Sequence, residues 1–278
     1  MPDTKQGIDG NGVDGDNSAP SVARIYDWLL GGTNNYQVDR DLGAMMVGRA
    51  PELPDAARAN RSFHQRAARY LAEVGIGQFI DLGSGLPTAG STHEIVFGVR
   101  PDARVIYVDI DPLVLRHSQY QLAGDDRVSA LVADVRDAGA VLGELADRRL
   151  IDFGKPVGVL MTGLLHLVPD EEDPAGLVAR YMSAVVPGSY LVLSHMTADQ
   201  KPPLSADAVR SVGGSTGGWF PRSKAEFRAM IGELEIVPPY EGAGPEVTWV
   251  GLWQCYDVAM ADSDGSRWLY CAVAKKAR

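Results

Sequence analysis

A chain of 278 residues is long enough to bury one substantial core. Its 45% apolar and 22% charged residues match an ordinary globular protein. The formal net charge of -10 argues against a protein that grips nucleic acid through Lys and Arg, so no nucleic-acid partner is expected. Cys255 and Cys271 have no metal-ligand spacing, so no metal site is expected; they are read as buried free thiols, with one disulfide between them as the alternative. No apolar run approaches the ~18 residues of a membrane span, and residues 1–18 lack the apolar stretch of a secretory signal. No membrane partner and a cytoplasmic location are therefore expected.

Residues 1–19 are rich in Gly, Asp and Asn and are read as a disordered tail, since they have little apolar surface to offset ordering entropy. Their acids do not form a calcium loop: Ala19 stands where that turn needs Gly, and no Glu closes it. Residues 20–74 are expected to form a helical cap. Ser21 can cap a helix with Val22, Ile25, Tyr26, Leu29 and Leu30 on one face, ended by Gly31-Gly32. A second helix is expected around Asp39–Val47. A third runs from Pro54 to Val74, with Phe63, Ala67, Tyr70 and Leu71 at helical spacing.

From residue 75 to 278 the pattern changes. Short β-branched runs at Gln78–Leu82, Arg104–Val108, Val128–Val132, Val157–Met161 and Ser189–Ser194 alternate with helical stretches near 88–99, 112–123, 137–148 and 173–186. Two further strands are expected at Leu234–Val237 and Trp268–Ala274. Such alternation predicts an α/β, doubly wound parallel sheet with right-handed crossovers. The Gly/Pro-rich stretch 196–222 reads as a lid or a disordered loop.

The chemistry concentrates at the strand ends. Phe79-Ile80-Asp81-Leu82-Gly83-Ser84-Gly85 is a buried strand that ends in an acid and runs into a glycine turn. Gly83 and Gly85 allow a tight turn and let a ligand lie against the backbone. A dinucleotide fingerprint would need Gly at position 88, which is Thr88. Asp81 suits a cationic sulfonium or ammonium better than a pyrophosphate. S-adenosylmethionine is thus favoured over NAD, with an NAD-dependent oxidoreductase kept as the weaker alternative. The second strand ends at Asp109-Ile110-Asp111-Pro112, where an acid can accept ribose hydroxyls, and the third leads to Ala133-Asp134-Val135, where a carboxylate can accept from an adenine amino group. Any one of these acids could instead be a helix cap or a turn residue.

DLGSG, the acid at Asp109 and the Ala133-Asp134-Val135 step resemble the class I, Rossmann-like S-adenosylmethionine-dependent methyltransferases. ARIYDWLLGGTNNYQVDR (23–40), RANRSF (58–63) and DLGSGLPTAGSTHE (81–94) resemble more narrowly a bacterial S-adenosyl methyltransferase family long catalogued as a domain of unknown function. This resemblance implies a seven-strand sheet with the last strand antiparallel, and S-adenosylmethionine at the ends of the first three strands. Gly83 and Gly85 would flank its methionine part, Asp109 would hold the ribose, and Asp134 with the Val135 backbone would meet adenine. Asp81 and Ile110 fall in the same donor site. The family's late Trp-Arg-Pro reads Trp253-Gln254-Cys255 here.

The acceptor side is less defined. The Asn/Asp-Pro-Pro-aromatic tetrad of enzymes that methylate base or amide nitrogens is missing after the fourth strand, where Thr162-Gly163-Leu164-Leu165-His166 stands. His166 could be a base, a pocket wall or a histidine fixing the loop, and His195 is a weaker candidate. Tyr26, Asn34, Asn35, Tyr36 and Asp39 crowd around Gly31-Gly32. In related enzymes N-terminal helices cover the cofactor, so Tyr26, Asn35, Tyr36, Asn60 and Arg61 are expected near the acceptor pocket or the lid. The resulting expectation is methyl transfer to a small-molecule acceptor. A protein that binds the donor or its product without catalysis remains the alternative. The acceptor atom and the oligomeric state are not assigned.

Overall fold

The computed structural model describes residues 19–86, 90–112, 125–200, 218–257 and 261–277. The expected tail, nearly all of the helix expected over 112–123 and most of the 196–222 loop lie outside them. Three helices precede the sheet: α1 (Val22–Leu29), α2 (Gln37–Arg49) and α3 (Leu53–Glu73). Ser21 does occupy the N-cap of α1, but its side chain does not cap the helix; the hydroxyl donates across to Asp111 Oδ2 at 2.9 Å. Asp39 organises the α1–α2 pair. Its carboxylate accepts from the Ser21 and Tyr36 amides at 2.9 and 2.8 Å and from Arg24 Nε at 2.8 Å, fully buried.

The sheet region runs β1 (Gln78–Leu82), α4 (Thr92–Phe97), β2 (Arg104–Asp109), β3 (Val128–Val132), α5 (Ala138–Asp147) and β4 (Gly158–Thr162). It continues with α6 (Pro174–Ala184), β5 (Tyr190–Met196), α7 (Lys224–Ile231), β6 (Glu235–Ile236), β7 (Thr248–Trp249) and β8 (Leu269–Lys275). The order across the sheet is β3-β2-β1-β4-β5-β8-β6. Strands β1 to β5 are parallel, and β8 runs antiparallel to β5. This is the methyltransferase-type Rossmann-like sheet expected from the sequence.

Two elements go beyond that expectation. Helix α7 is announced by a capping box between Ser223 and Glu226. The two-residue β7 pairs with β8 at Thr248↔Cys271 and Trp249↔Tyr270, on the edge whose other end is held by β6. The sixth-strand position is therefore filled in two pieces, with an irregular excursion between them.

The strands read as continuous apolar runs because helices cover both faces of the sheet. Side chains alternate between two cores. Phe79, Val105, Leu160, Val192 and Val273 pack with α3 on one face. Ile80, Ile106, Val159, Leu191 and Ala272 pack with α5, α6 and α7 on the other. Trp253, from the segment that departs from the family pattern, is fully buried edge-on to Phe63 and Tyr70 at 5.7 and 5.5 Å between ring centroids. Arg66 fastens the same segment by donating to the Trp253 and Val250 carbonyls, each at 2.7 Å. Both cysteines are free; Cys271 is buried as expected, whereas Cys255 is only half-buried. No helix of the described residues is long and apolar enough to cross a membrane.

Helix α3 sits close to the sheet because β4 starts with a glycine. A Cβ on Gly158 would lie 2.7 Å from Leu71 Cδ2 and 3.1 Å from Phe79 Cδ1. Gly158→Val is expected to cost about 1–3 kcal/mol through overpacking. Urea unfolding should then show a lower midpoint at unchanged slope; an unshifted midpoint would mean that the contact relaxes at no cost.

Candidate functional site

The strand order reverses between β1 and β4, and in open α/β sheets that crevice at the carboxyl ends of the strands is where ligands bind. A cavity of about 710 Å³ occupies it here. Its floor is the ends of β1, β2 and β4, and its roof comes from α1 and α3, through Ile25, Tyr26, Leu29, Ala57, Asn60 and Arg61.

At the first strand end, the glycine turn is held by Gly83 and Ser84 amides donating to the Val108 carbonyl at 2.8 and 3.3 Å. Gly83 and Gly85 take φ of 64° and 65°, the left-handed region that favours glycine. A Cβ on Gly83 would meet Leu164 at 2.5 Å, whereas a Cβ on Gly85 would meet nothing within 4 Å among the described residues. The Gly85 backbone is thus open to a ligand. Asp81 lines the cavity but is almost fully buried, and burial raises its carboxyl to about 6 against the lowering by Thr92 and Arg61.

At the second strand end, Asp109 accepts from the Gly85 amide through Oδ2 at 2.8 Å and from the Asp111 amide through Oδ1 at 2.9 Å. Burial raises its pKa, while those amide bonds oppose the rise. Asp111 in turn takes the Ser21 hydroxyl and lies 3.6 Å from Arg24, so the start of α1 is latched to the end of β2. Ile110 projects into the cavity and is largely exposed. At the third strand end, Asp134 is bound by Arg136, with Nη2 to Oδ2 at 2.6 Å, and that bond holds its carboxyl below the usual range. Asp134 and Val135 both line the cavity.

The far end of the cavity is apolar, walled by Leu53, Ala56, Met196, Trp219 and Leu269. His166 lines it from a short 3-10 turn, Leu165–Leu167, beyond β4. Its ring is buried edge-on to His195 and Trp219, with centroids at 5.8 and 6.0 Å. Burial, with His195 and Arg222 nearby, holds the imidazole well below its ordinary pKa, so it is neutral at physiological pH. Among the described residues its buried Nδ1 has no hydrogen-bond partner.

Three residues expected near the acceptor stand away from the described cavity walls. Asn35 builds the α1–α2 turn, donating from Nδ2 to Asp27 Oδ2 at 2.8 Å and to the Gly32 carbonyl at 2.9 Å. Tyr36 is exposed beside Arg24, whose guanidinium lies 5.2 Å from its ring centroid. His195 sits behind His166, where Nδ1 bonds to the Met196 carbonyl at 2.7 Å and Nε2 meets Arg222 Nη1 at 2.9 Å. Arg222 can only donate, so Nε2 accepts and the proton is on Nδ1. Burial lowers this imidazole to about 4. By contrast, Tyr26, Asn60 and Arg61 do line the cavity. Asn60 donates from Nδ2 to the Tyr26 hydroxyl at 3.1 Å and accepts from Ser194 Oγ at 2.6 Å.

The sequence pattern did not single out His64, yet it lines the cavity from the face of α3 that carries Asn60, one helical turn earlier. That spacing was the available signal. Trp219 lines the cavity as well, and no local pattern in the sequence marks it. Among the described residues, no three His, Cys, Asp or Glu side chains come together to hold a metal.

A family model described as S-adenosyl methyltransferase matches residues 11–277. A candidate methyltransferase from Thermobifida fusca YX, solved by crystallography, is 37% identical, with 95% of this chain and 97% of that one covered at a TM-score of 0.87. A DUF574 family protein from Streptomyces avermitilis MA-4680 is 36% identical, with 94% and 99% covered at a TM-score of 0.85. No curated protein matches the chain.

Arg222 is the buried clasp of the loop that carries His166. It donates to the Leu165 and Val168 carbonyls at 3.0 and 2.8 Å and to Asp170 Oδ1 at 2.6 Å. Arg222→Met should destabilise the fold by roughly 1–3 kcal/mol, since it leaves buried acceptors unpaired. Denaturant titration measures this, and a loss below about 0.5 kcal/mol would show that the loop stands without the clasp.

Proposed function

Because the chain belongs to the S-adenosyl methyltransferase family and its cofactor is S-adenosylmethionine, we propose that it methylates a small, largely apolar molecule held in the same cavity as the donor. The observation that carries this reading is the continuity of the cavity, with carboxylates at the sheet end and apolar walls around His166 at the other. When bound, S-adenosylmethionine supplies a methyl group on a sulfonium, open to in-line displacement by a nucleophile.

In this reading the donor lies over β1, β2 and β3. The residues fit it: the open Gly85 backbone gives room, and Asp81 is a carboxylate that burial raises to about 6 even with Arg61 lowering it, so a further cation is favoured there. Asp109 receives the ribose hydroxyls on lone pairs that its two amide bonds leave free. Ile110 and Val135 flank the adenine, and Asp134 faces its amino group while Arg136 keeps the carboxylate ionised. Arg61, which has no carboxylate partner in an ion pair among the described residues, balances the donor's own carboxylate.

His166 then orients the acceptor. A neutral imidazole has one N–H, and a buried donor left unpaired costs more than a buried lone pair. The favoured tautomer therefore leaves Nδ1 bare and turns Nε2–H toward the cavity. His166 donates a hydrogen bond to the acceptor instead of abstracting its proton. Around it, Leu53, Ala56, Met196 and Trp219 exclude water and position the nucleophile, which is most of what this displacement asks of the protein.

Two measurements test the reading. Asp109→Ala should weaken S-adenosylmethionine binding about 30- to 100-fold by calorimetry, the equivalent of roughly 2–3 kcal/mol for a lost pair of hydrogen bonds to a charged group. Unchanged affinity would remove Asp109 from the donor site. For the acceptor, compounds are screened by release of S-adenosylhomocysteine. With any hit, His166→Phe should raise KM about tenfold and change kcat less. A kcat loss of roughly a hundredfold or more, with loss of a pH-rate limb, would instead make His166 a base.

A further inference from the structure

We propose that His64 is a positioning residue for the donor site, acting through the Thr92 hydroxyl to hold the Asp81 carboxylate toward the donor's cationic end. The inference rests on the reading above that Asp81 faces that end. It is carried by a chain of three short hydrogen bonds joining α3, α4, β1 and β4. Thr92 Oγ1 donates to Asp81 Oδ2 at 2.6 Å. His64 Nε2 lies 2.7 Å from Thr92 Oγ1, and His64 Nδ1 lies 2.8 Å from Thr162 Oγ1. His64, Thr92 and Asp81 are each at most 3% exposed.

Counting protons fixes the direction of the chain. A threonine hydroxyl has one hydrogen, and the Thr92 hydrogen is spent on the carboxylate. Its oxygen must therefore accept from His64, so the imidazole proton is on Nε2. Nδ1 is then bare and accepts from the Thr162 hydroxyl. The sequence of donors is Thr162 to His64 to Thr92 to Asp81, each group accepting from the one before it. Bonds aligned in this way polarise one another, so the hydroxyl at the end of the chain is a better donor than an isolated threonine.

The imidazole is neutral in this arrangement. Burial, with a smaller contribution from Arg61, lowers it to about 3, so its 3.6 Å approach to Asp81 is not an ion pair. The other groups around Asp81 are accounted for. Arg61 on α3 favours the ionised carboxylate, and Asp109 on β2 disfavours it. Tyr107 on β2 is kept un-ionised by burial, and its hydroxyl is engaged with His93 and also interacts with the Thr92 hydroxyl. Thr92 is the sole hydrogen-bond donor to the Asp81 carboxylate among the described residues. Orientation of that one hydroxyl is what His64 controls.

The sign of the pH effect follows. Asp81 must be ionised to attract a cation, so S-adenosylmethionine affinity falls as pH drops through about 6. Loosening the Thr92 bond raises the carboxyl further and moves this acid limb upward.

The experiment measures S-adenosylmethionine affinity from pH 5 to 9 by calorimetry, together with Asp81 side-chain titration by carbon NMR in the ligand-free protein. His64→Leu and Thr92→Val should each move the acid limb up by roughly one pH unit. Binding should weaken about twofold at pH 7 and close to tenfold at about pH 5, and converge on wild type near pH 9. His64→Gln keeps a donor toward Thr92 and should restore most of the shift. Nitrogen NMR of the wild-type imidazole should show Nε2 protonated, Nδ1 bare and no titration down to pH 5. If Thr92→Val folds and its acid limb and Asp81 titration match wild type, the relay is overturned. A protonated Nδ1 overturns it as well, even if His64→Leu does not fold. Asp81→Asn separates the two claims: if it binds the donor as tightly as wild type, the placement of Asp81 fails. If it binds weakly while the His64 and Thr92 variants behave as wild type, the placement stands and the relay fails.

Discussion

The proposed donor site depends on keeping one carboxylate, Asp81, charged where almost no water reaches it. Burial disfavours the ion, and its partners are a single hydroxyl and a nearby guanidinium, Arg61. The neighbouring elements are arranged around that problem. Helix α4 begins where Thr92 can reach the end of β1. Helix α3 passes directly over the strand ends with Asn60, Arg61 and His64 on its lower face, and β4 ends in Thr162. A charge kept in so poor a solvent is left with a strong demand for a cation, and the proposed donor carries one. The cost of burying it is thereby held in reserve for binding.

The same helix does two jobs, which explains why the N-terminal region cannot be treated as a detachable cover. The middle and C-terminal part of α3 packs Phe63, Ala67, Ala68 and Leu71 into the core against Phe79 and Leu160. One turn back, it supplies cavity wall. The close seat allowed by Gly158 sets the height of both parts at once. Helix α1 is tied in more lightly, by the Ser21 and Arg24 contacts to Asp111, and Asp111 donates its amide to Asp109. Roof and the proposed ribose acid are thus two bonds apart.

Much of this was legible from local pattern. The run Gln78–Leu82 was read with its observed bounds, because a strand covered on both faces is an unbroken apolar run. The glycine turn and the acids at Asp81, Asp109 and Asp134 stand at strand ends, where chain order alone puts them side by side. Other features depend on partners far away in sequence. Asn35 and Tyr36 resemble pocket residues because a polar, glycine-containing stretch can serve a ligand or a turn, and only the position of Asp27 decides for the turn. His195, in sequence the weaker candidate beside His166, still looks available until Arg222, 27 residues later, is seen to hold its Nε2. His64 looks like an ordinary helix histidine until Thr92 and Thr162, 28 and 98 residues away, are brought to its two nitrogens. The two-residue β7 is too short to carry any periodicity.

Charge balance ties the proposed donor to the direction of the reaction. Among the described residues, five carboxylates line the cavity, those of Asp81, Asp109, Asp111, Asp134 and Glu172, against three guanidinium groups, those of Arg24, Arg61 and Arg136. The histidines on its wall, His64 and His166, add no charge, since burial keeps both neutral. The described part of the lining is therefore negative overall. Before transfer the donor brings a sulfonium and an ammonium against one carboxylate, and this excess of positive charge suits the lining. After transfer the sulfonium has become a neutral thioether. The product loses one favourable interaction with the carboxylates in a poorly solvated site, where such interactions are strong. A cavity that stayed negative through histidines held neutral would bind the donor better than its product, and so would help to clear itself after each turnover.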